Sequence, residues 1–255
     1  MGKKGSYLKK HISNVGLETF NERAPFVKVN ISDEKRLMYE EGQVILLDKP
    51  VHWTSFDVVR KIRKIIKVRK VGHAGTLDPL ASGLLIICTG KYTKKINEYM
   101  AQEKEYTGSF TLGAVTPTYD LESLPEQPKE FAHLTESQIK EATQNFIGDI
   151  EQFPPIYSAI KQEGKPLYEL ARRGKDIELQ ARKVFIKSFE IVAIDLPLVE
   201  FKIVCSTGTY IRSVANDFGA ALGCGAYLSG LRRTAIGDFK SEDAVTMDAF
   251  VESLI

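Results

Sequence analysis

The order of short strands and helices along the chain is the sequence feature that most constrains its fold. Apolar or alternating runs typical of strands recur at residues 43–47, 84–88, 106–112, 183–194, 199–206 and 227–236. Capping sequences at Thr54 and Thr135 each predict the start of a helix, and Gly223 predicts the end of another. The strands and helices do not alternate as regular strand–helix–strand units. We therefore predict an α+β fold with a mixed, largely antiparallel central sheet that is flanked by helices.

The chain divides into two parts of different character. Residues 1–41 are polar, with scattered glycine, asparagine and lysine and no sustained apolar period. We predict that they form a flexible N-terminal extension that becomes ordered only on contact. A chain of 255 residues is long enough to bury a core without disulfides or metals. We predict that residues 42–255 form one folded domain.

Cysteine usage and the apolar pattern exclude several classes of protein. Cys88, Cys205 and Cys224 lie far apart in the sequence and form no C-x-x-C pair, which disfavours a zinc site or a disulfide framework. We expect three buried thiols in a reducing cytoplasm. No apolar run approaches the roughly 18 residues that a membrane span needs. The first residues lack the apolar segment of a secretory signal, so we expect a cytoplasmic protein without membrane association.

A strongly basic segment follows the capping sequence at Thr54. Seven of the eleven residues in RKIRKIIKVRK, residues 60–70, are lysine or arginine, and none is acidic. The predicted helix ends near Lys67, and its apolar face would consist of Phe56, Val59, Ile62 and Ile66. Such a basic stripe attracts a polyanion, and the predicted contacts with a nucleic-acid backbone are Lys61, Arg63, Lys64 and Lys67. A solvated face is the alternative reading. Further basic residues that could extend the patch are Arg172, Arg173, Arg232 and Arg233.

The segment GHAGTLDPLASG, residues 72–83, has the composition of a loop that could carry chemistry. Gly72 and Gly75 allow positive φ angles and close backbone approach. Pro79 restricts Asp78 to extended conformations, which can present its carboxylate outward. A carboxylate fixed on a loop can act as nucleophile, base or ligand, but Asp-Pro is also a common turn. These residues alone leave both readings open.

Further sequence blocks accompany this loop in a fixed order. They are LLDKP at residues 46–50 with TS at 54–55, KEY at 104–106 with LG at 112–113, TPTYD at 116–120, PPIYSAIK at 154–161, LY at 167–168 with AR at 171–172, GTYIR at 208–212 and LRR at 231–233. Together with residues 72–83 they resemble the motifs of TruB-type pseudouridine synthases, which convert a uridine in the T-loop of tRNA to pseudouridine. The resemblance covers about residues 42–255 and implies the pseudouridine synthase fold.

The resemblance also implies catalytic roles. Asp78 would be the nucleophile in a reaction that breaks the N-glycosidic bond, turns the uracil and rejoins it through carbon. Whether the carboxylate attacks the base or the sugar stays open. Arg212 would hold the Asp78 carboxylate ionised and oriented through a charge-assisted bond. Tyr106 would stack on the extracted base, and its hydroxyl could move a proton. No metal, redox group or other cofactor is implied.

Substrate-binding roles follow from the same resemblance. The target uridine lies in a folded loop and must be flipped out, and His73 would fill the space that it vacates in the RNA. Tyr210 and Leu231 would line the base pocket, although Leu231 could equally be a core residue. Lys49 would either support the loop or reach the RNA. The implied partner is the T-arm of tRNA, with the protein acting as a monomer and without an obligatory protein partner.

The chain departs from the family pattern at two places. His52 stands where the family usually has glycine, which could alter a turn. The chain also ends at Ile255, soon after the last motif, so we expect it to lack the additional C-terminal RNA-binding module of many relatives.

Two other functions remain alternatives. One is a tRNA-binding folding factor without catalysis, which would use the basic helix equally well. The other is a synthase that acts on a different RNA uridine. Asp78 distinguishes the first alternative, because a carboxylate beside a phosphate path repels RNA unless it serves chemistry.

Overall fold

The computed structural model describes residues 30–158, 161–162, 165–167 and 179–255. Arg172, Arg173 and most of the predicted extension lie outside these residues. Residues 31–255 belong to one compact unit, which includes the last part of the segment that we assigned to the extension. There, Ser32 caps a helix whose Tyr39 packs edge-on against Phe250, with ring centroids 6.3 Å apart.

Helices and strands alternate irregularly along the described residues. The α-helices are α1 (Asp33–Glu41), α2 (Ser55–Ile66), α3 (Ile96–Ala101), α4 (Glu136–Ala142), α5 (Ile211–Ala221) and α6 (Met247–Glu252). The first strands are β1 (Val44–Lys49), β2 (Val71–Ala74), β3 (Ala81–Thr89), β4 (Lys104–Leu112), β5 (Gly148–Gln152), β6 (Lys161–Gln162) and β7 (Lys165–Pro166). The remaining strands are β8 (Arg182–Asp195), β9 (Leu198–Cys205), β10 (Ala226–Ile236) and β11 (Phe239–Lys240). Short 3₁₀ turns occupy Gly90–Lys95, Thr143–Phe146 and Ser241–Asp243.

One nine-stranded sheet organises the molecule. Its main strand order is β1-β3-β10-β4-β9-β8-β5, with β2 paired to β3 and β11 paired to β10. Every pairing in it is antiparallel except that of β10 with the start of β3, where Leu231 lies opposite Ala81. The predicted α+β fold with a largely antiparallel sheet is confirmed. The parallel contact brings the middle of β10 to the residues that directly follow the Asp78 loop.

Apolar side chains from the sheet and from α5 form the main core. Phe110 of β4 stacks on Phe201 of β9 with ring centroids 4.1 Å apart, and Phe189 and Phe218 close the cluster. The three strand rings share one buried face because successive residues of a strand alternate between its two faces, and Phe218 of α5 packs against them. The three cysteines are buried free thiols, as predicted. Among the described residues, no helix is long and apolar enough to cross a membrane.

The basic helix forms as the capping sequence predicts. Thr54 and Asp57 make a reciprocal capping box, and α2 buries Val59, Ile62 and Ile66. The predicted placement of Phe56 on the apolar face is wrong, because its side chain is 62% exposed. At the first turn the buried positions are instead Ser55 and Val58.

Two local predictions are corrected by the structure. Residues 72–82 are not one continuous loop, because β2 ends at Ala74 and β3 begins at Ala81. The glycine-rich composition concealed the short strand at Val71–Ala74. In the sequence, Pro166 and Gly174 stand where the first position and the end of a short helix are expected. The structure instead places Pro166 in strand β7, and Gly174 lies outside the described residues.

Candidate active site

The loop that carries Asp78 is held in place on the side of helix α2. The Ser55 hydroxyl accepts a hydrogen bond from the Leu77 N–H at 2.9 Å and donates to the Leu77 carbonyl at 3.2 Å. Both groups are buried, so the hydroxyl satisfies a donor and an acceptor that water does not reach. Ser55 therefore fixes the backbone directly before Asp78.

Lys49 holds the other side of Asp78. Its fully buried ammonium donates to the carbonyls of Pro50 at 2.9 Å, Trp53 at 2.6 Å and Pro79 at 3.4 Å. Burial lowers the pKa of Lys49 to about 8, and the negative charge of Asp78 opposes this shift. Of the two readings of Lys49, the contacts support loop anchoring, because the ammonium has no exposed surface with which to reach RNA.

Arg233 anchors the start of the loop. The side chain is only 1% exposed and donates from Nε to the Leu84 carbonyl at 2.8 Å, and from its Nη atoms to the carbonyls of Gly75 at 3.1 Å and Thr76 at 3.5 Å. The interpretation of Arg233 as part of a surface patch is wrong. The φ angle of Gly75 is 91°, which favours glycine at this position.

The buried side chain of Arg212 contacts the Asp78 carboxylate. Its Nε lies 2.9 Å from Oδ2 of Asp78 and 3.6 Å from Oδ2 of Asp120. The Arg212 side chain is 5% exposed, whereas that of Asp78 is 36% exposed. Its Nη atoms donate to the carbonyls of Thr118 at 3.2 Å and Tyr157 at 3.1 Å. Within the described part of the chain, Nε makes no hydrogen bond of regular geometry, so it is an ion-pair partner shared by two carboxylates.

Asp120 is the site carboxylate to which sequence reasoning assigned no role. Its side chain is buried, and burial raises its pKa, although Arg212 opposes the shift and the charge of Asp78 adds to it. One oxygen accepts a hydrogen bond from the Glu122 N–H at 3.0 Å. The signal was present, because Asp120 ends the TPTYD block, but nothing in the sequence shows that this block meets Arg212.

A cavity opens beside these three charged groups. Its lining residues are Asp78, Leu80, Ala81, Asp120, Leu228, Ser229, Gly230 and Leu231. Asp78 and Leu231 therefore face the same space. Their proximity follows from the parallel pairing of Leu231 with Ala81, since Ala81 is three residues from Asp78.

Tyr106 and Tyr210 lie on two other elements near the charges. Tyr106 is buried on β4 opposite Arg233, and burial raises its pKa, with Arg233 and Asp78 among the nearby charges. Burial also raises the pKa of the Tyr210 hydroxyl, which feels the charges of Asp78 and Arg212. Neither tyrosine belongs to the residues that line the cavity in the described structure.

Tyr210 is held by a side chain that sequence reasoning missed. The buried Gln152 amide accepts from the Tyr210 N–H at 2.8 Å and donates to the Tyr210 carbonyl at 3.1 Å. These bonds fix the residue directly before α5, the helix of Arg212. No local motif predicts this contact, because it joins residues that are distant in sequence.

His73 is apart from the cavity. It lies on the short strand β2 opposite Ile87, not in the loop where we placed it. Burial lowers its pKa, and the positive charge of Arg233 adds to this effect. Its Nδ1 atom is buried without a hydrogen-bond partner in the described structure.

The basic side chains of α2 and the turn after it face outward. Arg63, Lys64 and Lys67 are exposed, while Lys61 places its Nζ 5.0 Å from the centre of the Trp53 ring. Arg232, a predicted extension of this patch, instead makes a two-pronged ion pair with Asp48 at 3.0 and 2.8 Å.

Within the described ranges, no group of three or more histidine, cysteine, aspartate or glutamate side chains is arranged to hold a metal ion. The charged centre beside the cavity is thus two carboxylates and one guanidinium.

The family models and the relatives that match this chain agree with one another. The chain matches the TruB family pseudouridylate synthase N-terminal domain over residues 63–211 and the tRNA pseudouridylate synthase B C-terminal domain over residues 212–255. It is 52% identical to tRNA pseudouridine synthase B of Flavobacterium johnsoniae over 223 residues, which cover 85% of this chain and 97% of that protein. It is 49% identical to the protein of the same name from Phocaeicola vulgatus over 222 residues, covering 85% of this chain and 94% of that protein.

A solved structure supports the fold as well. A chain in an H/ACA RNP bound to a substrate RNA containing 2′-deoxyuridine is 30% identical, with a TM-score of 0.64. The match covers 85% of this chain and 54% of that one, so this chain spans about half the length of its solved relative. The family matches and the sequence identities lead to one conclusion: this chain belongs to the TruB family of pseudouridylate synthases.

Proposed function

We propose that this protein converts a uridine in the T-loop of tRNA to pseudouridine, with Asp78 as the nucleophile. The observation that carries the proposal is the ion pair of Asp78 with the buried Arg212 at the edge of a cavity. Membership of the TruB family supports the reaction, because its relatives are named tRNA pseudouridine synthase B.

The arrangement suits a nucleophilic carboxylate. A buried guanidinium beside Asp78 orients one oxygen of the carboxylate through a charge-assisted contact. The other oxygen is left to attack, since the Asp78 side chain stays partly exposed. Ser55 and Lys49 hold the backbone on either side, so the carboxylate is positioned before the substrate arrives.

The reaction is an isomerisation and needs no external oxidant or reductant. The bond between uracil N1 and the ribose carbon breaks, the uracil turns, and a bond from its carbon C5 replaces the first. The proton that leaves C5 is balanced by the proton that N1 holds in the product. Tyr106, a buried side chain on β4 near the charge of Asp78, would stack on the base and relay a proton through its hydroxyl.

Substrate binding would use the remaining predicted residues. The target base is flipped out of the RNA, Leu231 and Tyr210 contact it, and His73 occupies the space left behind. Lys61, Arg63, Lys64 and Lys67 would bind the RNA backbone. The protein would act as a monomer on the T-arm of tRNA in the cytoplasm.

One experiment tests this proposal directly. The wild-type protein and an Asp78→Asn variant are incubated with a tRNA transcript, and pseudouridine is mapped by position. We expect a single modified T-loop uridine with wild-type protein and none with the variant, while both bind the transcript. Modification at another position would identify a different RNA substrate. Binding without isomerisation by the wild type would favour a folding factor, and an active Asp78→Asn variant would contradict the role of Asp78.

A further inference from the structure

We propose that Phe56 and Trp53 form an aromatic platform on which an unpaired nucleobase of the substrate RNA stacks, next to the uridine that enters the cavity. The platform comprises these two side chains at the start of α2. This inference rests on the proposed function, because it takes RNA as the ligand.

The exposure of Phe56 is the first observation. Its side chain is 62% exposed, although it belongs to an amphipathic helix whose other large apolar residues are buried. Val51, in the turn before the helix, is also exposed, and Trp53 is only partly buried. Large apolar side chains that gather in water at one place mark a binding surface more often than an isolated exposed residue does.

The position of this turn is the second observation. The His52 N–H donates to the Pro79 carbonyl at 2.6 Å, and the Lys49 ammonium joins the carbonyls of Trp53 and Pro79. Ser55, the residue before Phe56, bonds to Leu77. These hydrogen bonds attach the platform to the backbone on both sides of Asp78, a residue that lines the cavity.

The surrounding charge identifies the occupant. The Lys61 ammonium lies 5.0 Å from the centre of the Trp53 ring, and exposed Arg63 and Lys64 follow on the same helix. The carboxylate of Asp57, the residue after Phe56, is paired with Arg60 at 2.6 Å. Aromatic rings beside a row of cations suit a single-stranded nucleic acid, whose bases stack while its phosphates contact the cations. An apolar protein segment would gain nothing from those cations.

A set of substitutions at Phe56 tests the aromatic requirement. We expect Phe56→Ala and Phe56→Leu to weaken binding of a T-arm hairpin by about 5- to 150-fold, the range of one base stack. Phe56→Tyr and Phe56→Trp keep a ring and should retain wild-type affinity. Val192→Ala removes a side chain of similar exposure, 61%, on the distant strand β8 and should have no effect. Melting temperatures of all variants should stay near that of the wild type, because Phe56 is exposed.

A second arm identifies the stacked base. Abasic nucleotides are introduced one at a time into the unpaired positions of the hairpin, and each RNA is bound to wild-type protein and to Phe56→Ala. At the stacked position, the binding free energy lost through the abasic nucleotide and that lost through Phe56→Ala should not add. At the other positions the two losses should be additive. Trp53 is the single tryptophan of the chain, so its fluorescence should also change when RNA binds to the wild type.

The outcomes separate this inference from the proposed function. Equal affinity of Phe56→Ala and wild type would overturn the platform even if the wild type isomerises uridine. Wild-type affinity of Phe56→Leu together with loss in Phe56→Ala would also overturn it, because an apolar contact would then suffice. Loss of binding in both variants would support the platform even if the wild type modified no uridine, in which case the proposed function alone would fail.

Discussion

Ser55 and Leu77 are joined through one hydroxyl, which accepts from the Leu77 N–H and donates to the Leu77 carbonyl. The pair connects the first turn of α2 to the residue before Asp78. A helix with exposed basic residues is thereby coupled to the loop that carries the proposed nucleophile.

The first prediction concerns this coupling. Ser55→Ala leaves the buried Leu77 N–H without its partner, and we expect a loss of about 1–3 kcal/mol in the free energy of unfolding. Because the backbone before Asp78 loosens, kcat should fall more than KM rises. The measurement is chemical denaturation together with steady-state isomerisation. Ser137→Ala, at an exposed serine of α4, is the control, and equal behaviour of both variants would contradict the anchoring role.

Lys49 leads to a prediction about pH. Its folded-state pKa of about 8 lies below the ordinary value of 10.5. Because the folded state disfavours the charged form of Lys49, this side chain contributes stability that is fully present above pH 10.5 and is lost as the pH falls through 8. The free energy of unfolding of the wild type, measured relative to that of Lys49→Met, should therefore increase as the pH rises from 8 to 10.5. Thermal unfolding across this range checks the slope, with Lys183→Met as the exposed control. A parallel pH dependence of wild type and Lys49→Met would be evidence against a buried ammonium.

The burial of Asp120 should change how the stability of the protein depends on pH in the acidic range. Its pKa is raised, so it contributes stability that is complete below the unfolded-state pKa and is lost as the pH rises through the folded-state pKa. Asp120→Asn removes this titration and keeps an oxygen for the Glu122 N–H. We expect the melting temperature of Asp120→Asn, relative to wild type, to increase as the pH rises from about 4. Asp195→Asn changes an exposed residue and is the control, whose melting temperature should follow that of the wild type. If the difference in melting temperature between Asp120→Asn and the wild type does not change with pH, the raised pKa of Asp120 is excluded.

Helix α2 shows what could be predicted from the sequence. Its start at Thr54 depends only on neighbours within four residues, and a capping box encodes those contacts locally. The apolar face was right at Val59, Ile62 and Ile66 and wrong at Phe56, because periodicity does not show where the core ends. The exposed ring was thus visible only in the structure.

Arg233 and Asp120 show what could not be predicted. A pair of arginines in sequence looks like a surface patch, but Arg233 turns inward where β10 pairs with β3. There it donates to the Leu84 carbonyl of β3 and to the Gly75 and Thr76 carbonyls of the Asp78 loop. Asp120 reaches Arg212 through tertiary contacts, which strand periodicity does not predict. Resemblance suggested the partnership of Asp78 and Arg212, but the number of carboxylates sharing that guanidinium came from the geometry.

Arg212 should be sensitive even to a conservative change. Arg212→Lys keeps the charge but loses the Nη bonds to the Thr118 and Tyr157 carbonyls and the Nε contact with Asp78. We expect kcat to fall by about 100-fold or more, with tRNA binding retained. Arg232→Lys alters a comparable pair with Asp48 outside the cavity and should keep most activity. Comparable kcat values for the two variants would indicate that Arg212 has only a structural role.

The basic helix should determine how RNA binding depends on salt. Arg63 and Lys64 are exposed on α2, and each phosphate contact contributes about 0.7–0.9 to the slope of log affinity against log salt. Arg63→Glu with Lys64→Glu should weaken tRNA binding and reduce this slope by about 1–2. Lys183→Glu with Lys187→Glu reverses two exposed lysines on strand β8 and provides the charge-matched control. Because charge reversal also adds repulsion, the slope and not the affinity at one salt concentration decides the matter. A slope equal to that of the wild type would assign these side chains to solvent and would place the RNA backbone elsewhere on the protein.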